Sequence, residues 1–385
     1  MMYESCVVKM KLRSTVVISI HTDDCDGVAH DVRDAADIMK LFQTRYGIRV
    51  CEPSFMLGIF REEYTEEGVR HIKMSQPNYM EKMQEEFAQH MEPIKSDPAE
   101  PFPVKTFLAP LDNCGKPVAV EESEVKEVLT KGYMNLVGGL LWAGRNTVPA
   151  MAFALSQLTR CMKTPSEKSW QAGLHTLRYA FNHRAEGIIF NEDGNRVPIV
   201  YYDSGHKQET GDGKAFYFFV IFHMGGPVYW ETRKHELPAF GAGEDEYMTQ
   251  AHAMKWALGY RHLLAELGYS DMVDGPWKVV GDNAQAEVWA REWAMMTINS
   301  RHIQQKYHIV KFMVKALWFL PIWQSGANNP ADIGTKPIDG TTGDRLIPQV
   351  RGAAVLQPLP DPIGVLKRGG IDANIIDEIY DSRYR

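Results

Sequence analysis

Two hydrophobic periods alternate along this chain, and the places where the period changes outline its elements. Near the start the runs are short and rich in β-branched residues. Cys6–Met10 and Thr15–Ile20 predict two strands joined by the polar turn Lys11-Leu-Arg-Ser. Val32–Tyr46 then sets Ala35, Ile38, Met39 and Phe42 at helical spacing. Phe55–Arg61 reads as a strand and Gly68–Met74 as its hairpin mate. Ser75-Gln-Pro-Asn-Tyr79 opens a second helix, to about Phe87. Met91–Pro110 carries Pro93, Pro98, Pro101, Pro103 and Pro110 and reads as a connector. From Ser123 the period is helical. It predicts helices over Glu124–Trp142, Val148–Cys161 and Ser166–Phe181, with stripes through Leu136 and Leu140, Leu155 and Leu158, and Leu174 and Leu177.

After Gly187–Phe190 the short period returns. Val197–Tyr202 is an apolar run that ends in Asp203, and Ala215–Met224 and Gly226–Arg233 continue it as a hairpin-linked meander. Asp245–Gly268 is a long helix with Met248, Ala251, Trp256, Leu263, Leu264 and Leu267 on its stripe and Gly268 at its end. Trp277–Val280 is a strand running into Gly281-Asp282-Asn283. Helices follow from Asn283 to about Met296 and over His302–Lys315. Leu317–Gln324 is a last strand, and Asn329–Lys336 a short helix with Pro330 in its first turn. The stretch from Asp339 to Arg385, with Pro348, Pro358, Pro360 and Pro362, reads as mostly irregular. The pattern is α/β and multi-domain.

Composition narrows the picture. The 385 residues suit two or three domains, and 44% hydrophobic content suffices for real cores. Five scattered cysteines, without C-x-x-C spacing, argue against a disulfide framework or structural zinc and for a reducing, intracellular setting, cytoplasmic or nuclear. No apolar run reaches 18 residues, so no membrane span is expected. The start, Met-Met-Tyr-Glu-Ser-Cys-Val-Val, lacks a signal-peptide pattern and enters a strand as if inside a domain. The net charge of −7 counts against a nucleic-acid binder unless basic residues are gathered locally.

The chemistry lies in the carboxylates. Asp203 ends an apolar strand, where an acid is costly. Glu246 falls at the start of the long helix, Asp282 ends the next strand, and Asp332 starts the last helix. Four acids at the ends of successive elements suggest a divalent-metal site. Two Mg2+ ions about 4 Å apart activate water and stabilise the leaving oxygen in phosphodiester hydrolysis, and oxygen donors suit them. Taken singly, Glu246 with Glu244 and Asp245 reads equally as helix N-terminal acids, Asp282 as an N-cap, and Asp332 as a first-turn acid. The order of elements raises the joint reading above these. Asp23-Asp24-Cys25-Asp26-Gly27 would suit a cation or a hairpin turn, with the turn favoured. Arg301, His302, Lys306, His308, Lys311 and Lys315 make a basic helix, a candidate phosphate-backbone contact or a solvated face in equal measure. Tyr202, Trp230 and Trp323 read as core or sheet-face aromatics rather than stacking platforms.

These residues resemble, in order, the C-terminal part of a copia-type LTR retrotransposon polyprotein, across roughly residues 5–345. Thr22-Asp-Asp24, Phe55-Met-Leu-Gly-Ile and Ser75-Gln-Pro-Asn-Tyr79 are similar to the end of its reverse transcriptase. Val137-Gly-Gly-Leu-Leu-Trp142, Arg145-Asn-Thr-Val-Pro149 and Leu155-Ser-Gln-Leu resemble its connecting region. Trp230-Glu-Thr-Arg-Lys234, Glu244-Asp-Glu-Tyr247, Gly281-Asp-Asn283, Arg301-His-Ile303, Lys306-Tyr-His308 and Ala331-Asp-Ile-Gly-Thr-Lys-Pro337 resemble its ribonuclease H.

The resemblance implies a partial reverse-transcriptase palm and thumb over 1–105 and a helical connection over 106–190. An RNase H-like mixed sheet flanked by helices would follow over 191–340, and an irregular tail over 341–385. It makes Asp203, Glu246, Asp282 and Asp332 the catalytic and metal-binding residues, with Glu244 as the alternative second acid. Ser204-Gly-His206 departs from the family's acidic, Trp-containing continuation. The implied function is hydrolysis of the RNA strand of RNA–DNA hybrids with two Mg2+ ions, or Mn2+ in their place. Other polyprotein segments are implied as partners. Asp23 and Asp24 would be polymerase relics, because the resemblance begins just before them and the upstream polymerase aspartate has no counterpart. The alternative is a catalytically inactive remnant that binds or supports.

Overall fold

The computed structural model describes residues 6–22, 24–50, 54–91, 98–103, 108, 119–205, 213–291, 303 and 305–359. The first β-branched runs form strands β1 (Cys6–Lys11) and β2 (Thr15–His21), and β3 (Asp24–Ala29) completes an antiparallel three-stranded sheet. Helix α1 spans Val32–Tyr46, as its periodicity predicts. Buried Asp34 pins it to the β1–β2 turn, accepting from the Ser14 backbone at 2.7 Å and the Ser14 hydroxyl at 2.8 Å.

The expected strand Phe55–Arg61 is broken in two, β4 (Phe55–Met56) and β5 (Ile59–Glu66). Leu57 and Gly58 both take positive φ and fold the run back on itself as a tight hairpin. Strand β6 (Val69–Ser75) pairs with β5. Helices α2 (Pro77–Glu86) and α3 (Ala88–Met91) follow. The Glu124–Trp142 helix is also two, α4 (Glu122–Thr130) and α5 (Tyr133–Asn146), because Gly132 sits at φ 97° between them. Helices α6 (Ala152–Arg160) and α7 (Glu167–Asn182) match their stripes, with a Ser166 capping box opening α7. Strand β7 (Ile188–Asn191) then returns across all these helices to pair with β6.

The second sheet holds β8 (Ile199–Gly205), β9 (Phe216–His223), β10 (Gly226–Lys234), β11 (Trp277–Gly281) and β12 (Phe319–Trp323). Its order is β10-β9-β8-β11-β12. The first three strands are antiparallel, and β8, β11 and β12 run parallel. This is the mixed, helix-flanked sheet expected of an RNase H-like domain. Helices α8 (Ala242–Leu267), α9 (Ala284–Arg291) and α10 (Ile309–Lys315) lie in its connections.

Both faces of this sheet are covered, which explains why every residue of β9 is buried. Side-chain alternation divides it. Tyr201, Phe218, Val220, Phe222, Val280 and Ile322 join one apolar cluster with Leu136, Leu140, Leu155 and Leu158 of α5 and α6. Val200, Tyr202, Phe219, Ile221 and Val279 join the other, with Tyr247, Met254 and Ala257 of α8. The helical segment is thus the lid on one sheet face. Trp230 fastens the two, its indole N–H donating to the Gly144 carbonyl at 2.8 Å.

The stretch after Asp339 begins with a helix, where irregular chain was expected. Helix α11 (Gly340–Val350) is capped by Asp339 and buries Leu346 and Val350 in the first cluster. Its end is tied to β7 by the Ile189 N–H on the Arg351 carbonyl at 2.8 Å. No helix among the described residues is long and apolar enough to cross a membrane.

Candidate metal centre

Parallel pairing builds the centre. Strands β8 and β11 are neighbours pointing the same way, so the acids near their C-terminal ends emerge at one edge. Asp203 is the fifth residue of β8, and Asp282 directly follows β11. Helix α8 starts at that edge and brings Glu246 down from above. Asp203, Glu246 and Asp282 each offer an oxygen, and these lie within 4.8 Å of one another. Asp203 and Glu246 are almost wholly buried.

Neighbours hold the two buried carboxylates. The Ser204 backbone N–H donates to Glu246 Oε1 at 3.1 Å, while Glu246 Oε2 is buried with no hydrogen-bond partner. The Thr335 hydroxyl donates to Asp203 Oδ2. Asn329 caps the Pro330–Gly334 turn through the Ala331 N–H and donates to the Tyr202 carbonyl at 2.8 Å. That staple sets the Thr335 loop against β8.

Burial, together with repulsion between neighbouring carboxylates, pushes all three acids upward against the partial relief that Lys336 gives Asp203 and Asp282. Asp203 rises to about 7, first through burial and then through Asp332, with the Thr335 hydrogen bond opposing. Glu246 rises well above the carboxylate range, through burial and then Asp203 and Asp282. Asp282 rises through burial and then Asp332. A cluster of raised, oxygen-only donors fits a hard divalent cation, which would return all three to the charged form.

The structure places the other expected residues less uniformly. Glu244 is turned to the loop before α8, accepting the Phe240 N–H at 2.9 Å, so Glu246 is the second acid of the cluster. Asp332 stands at the rim, both its oxygens within 2.9 Å of Lys336 Nζ. Ser204 and Gly205 extend β8, while His206 lies outside the described residues. Asp23 also lies outside them. Asp24 is exposed in β3, opposite His21, in the separate three-stranded sheet. Asp26 pairs with Arg61 at 3.2 Å, so the N-terminal acids join no described metal cluster.

The basic helix needs correction. Arg301 and His302 lie outside the described residues. Lys306 is bonded to Glu236 at 2.8 Å. His308 and Lys311 are fully buried, His308 within 3.3 Å of the Tyr247 hydroxyl. They are drawn inward because α10 packs against α8, α9 and β12. Lys315 alone among the described residues of α10 keeps its charge at the surface. Thr335, Asn329 and the Ser204 amide were not singled out from sequence. The run Ala331–Pro337 marked their neighbourhood, but nothing local marks which atoms reach β8.

No family model matches the chain. Among curated proteins it is similar to the retrovirus-related Pol polyprotein from transposon TNT 1-94 of Nicotiana tabacum. The identity is 27% over 332 residues, covering 84% of this chain and 23% of that one. It is 25% identical over 207 residues to the Pol polyprotein from transposon RE2 of Arabidopsis thaliana, covering 54% and 14%. Secreted RxLR effector protein 161 of Plasmopara viticola is 26% identical over 126 residues, 33% of this chain and 89% of that one. The chain spans less than a quarter of the length of the two polyproteins. A solved structure, the N-terminal RNase H domain of Rv2228c from Mycobacterium tuberculosis fused to maltose binding protein, shares 15% identity at a TM-score of 0.26. It is covered in full by 42% of this chain. The sheet order, three antiparallel strands followed by two parallel ones, is that of an RNase H-like fold. Several of the proteins it is similar to are copia-type retrovirus-related Pol polyproteins from transposons, the likeness its motifs carry.

Proposed function

We propose that this chain hydrolyses the RNA strand of RNA–DNA hybrids at Asp203, Glu246 and Asp282, with Mg2+. One observation carries the reading: three acids from three separate elements bring ligand atoms within 4.8 Å at one sheet edge. All donors are carboxylate oxygens, which suit Mg2+ or Mn2+ better than softer ions. Two such ions, when bound, supply an activated water and stabilise the leaving oxygen. The chain's own part is positioning. Thr335 holds Asp203, and the Ser204 amide holds Glu246 with its second oxygen left for a ligand. The 2′-hydroxyl marks the strand to be cut. Similarity to Pol polyproteins supports a nucleic-acid substrate and other segments of such a polyprotein as partners.

The test uses purified protein, a labelled hybrid and Mg2+. Cleavage by the wild type and none by Asp203→Asn is expected. Equal products from both, or none from the wild type, would overturn the proposal. The second outcome is that of a non-catalytic binding protein, which the net charge of −7 and the Lys336 ion pair on Asp332 favour. Duplex DNA run alongside separates strand-selective cleavage from general nuclease action.

A further inference from the structure

Beside the carboxylates stands an aromatic ring that the fold leaves half uncovered. The first four residues of β12 are buried, and the last, Trp323, is 46% exposed. Trp323 pairs with Gly281 in the parallel register, which sets it next to Asp282. Its indole Nε1 donates to the Asp282 main-chain carbonyl at 2.7 Å. That bond engages the ring's one polar atom and fixes its orientation. A ligand at this edge therefore meets the apolar face of the ring, not a donor for phosphate. An aromatic face suits the flat, weakly polar side of a nucleoside, and such contacts tolerate any base sequence. The contact also does not depend on a cation, unlike any interaction of phosphate with the neighbouring acids.

We propose that Trp323 is a substrate-contacting residue whose exposed face packs against the nucleoside of a nucleotide held at the Asp203–Glu246–Asp282 cluster. This rests on the nucleic-acid reading above and adds the contact that seats the strand. The pattern of β12 alone favours a core or sheet-face ring over a stacking platform at Trp323, and its exposure takes it out of the core while leaving it at the end of a paired strand.

The test measures binding of a fluorescein-labelled hybrid in Ca2+ and cleavage kinetics in Mg2+. Wild type is compared with Trp323→Ala, Trp323→Phe and Tyr269→Ala. Tyr269 is 39% exposed and follows the far end of α8, so it reports general loss of a surface ring. Trp323→Ala should weaken binding roughly 5- to 100-fold and raise KM with kcat nearly kept. Trp323→Phe should stay within about threefold of wild type, since a ring face remains, and Tyr269→Ala should be unchanged. Mg2+ affinity by calorimetry should be the same in Trp323→Ala and wild type. A ring that only holds Asp282 in place would instead lower Mg2+ affinity and make Trp323→Phe as poor as Trp323→Ala. That result overturns the proposal, as does wild-type binding by Trp323→Ala. Should the alanine variant not fold, Trp323→Leu fills the space without an aromatic face and carries the same expectation. Wild-type binding without cleavage would reject hydrolysis yet leave the Trp323 contact judged on binding. A wild type that neither binds nor cleaves overturns both.

Discussion

The Ser204 backbone N–H reaches Glu246 Oε1 at 3.1 Å, so the helix carboxylate is tied to the strand residue directly after Asp203. One oxygen is spent on the fold and the other is buried without a partner. Glu246→Gln keeps an oxygen for Ser204 and removes the charge. It should lower Mg2+ affinity by about tenfold or more, as lost ligand-shell groups do. It should also raise Tm in metal-free buffer at pH 8, because the amide removes the cost of burying a carboxyl whose pKa is raised in the folded state. Calorimetric titration and thermal melting check the two halves.

The raised acids predict how pH acts on the metal-free protein. Asp203 has a folded pKa of about 7, above its ordinary 3.8. The folded state therefore binds more protons than the unfolded state between those values, and stability falls as pH rises through that window. Melts in chelator should show Tm declining from pH 4 towards pH 8 at this site, and Asp203→Asn should flatten the decline. Metal binding expels those protons, so Mg2+ affinity should climb with pH through about 7. An Mg2+ affinity independent of pH from 5 to 8 would contradict this.

Asp332 is engaged by Lys336 Nζ at 2.8 and 2.9 Å, at the rim of the cluster. Lys336→Met removes that competitor and leaves the carboxylate for a cation. The variant should bind its weakest Mg2+ or Mn2+ roughly threefold or more tightly, the effect expected of removing one nearby, half-exposed positive charge. Mn2+ titration followed by electron paramagnetic resonance reads it. Unchanged affinity would remove Asp332 from the ligand set.

The joint between the helical lid and the sheet is testable without function. Trp230→Phe keeps a ring but leaves the Gly144 carbonyl without its 2.8 Å donor. Loss of about 1–2 kcal/mol is expected, the usual effect of one partly buried hydrogen bond. Urea denaturation measures it.

Helix α10 separates surface charge from buried charge. Lys315→Met should reduce the salt dependence of hybrid binding by about one unit of slope, if α10 faces the backbone. Lys311→Met should leave that slope unchanged and alter stability instead, because Lys311 is fully buried. Equal slopes for both variants would remove α10 from the interface.

Much of this molecule could be read before folding. The helix Val32–Tyr46 and the strand that carries Asp203 follow from the apolar pattern, although that strand runs on to Gly205. The run of acids was legible because element order puts Asp203, Glu246 and Asp282 at strand ends and a helix start. Turns were less legible. Gly132 and the Leu57–Gly58 pair cut elements that apolar spacing runs together, since periodicity registers burial and not backbone sign. Helix α11 was hidden by Pro348, whose effect is local, while burial of Leu346 and Val350 against a distant lid sustains the helix.

The sequence by itself determined the elements and the acids that end them, because a side chain's preference for one face repeats at short range. Tertiary structure decided the choices that depend on what lies across a gap. It turned Glu246 rather than Glu244 into the cluster and set Thr335 on Asp203. It took Lys311 inside while leaving Trp323 half in solvent. Each of those outcomes is fixed by packing between segments far apart in the chain, and no local spacing encodes which neighbour will arrive.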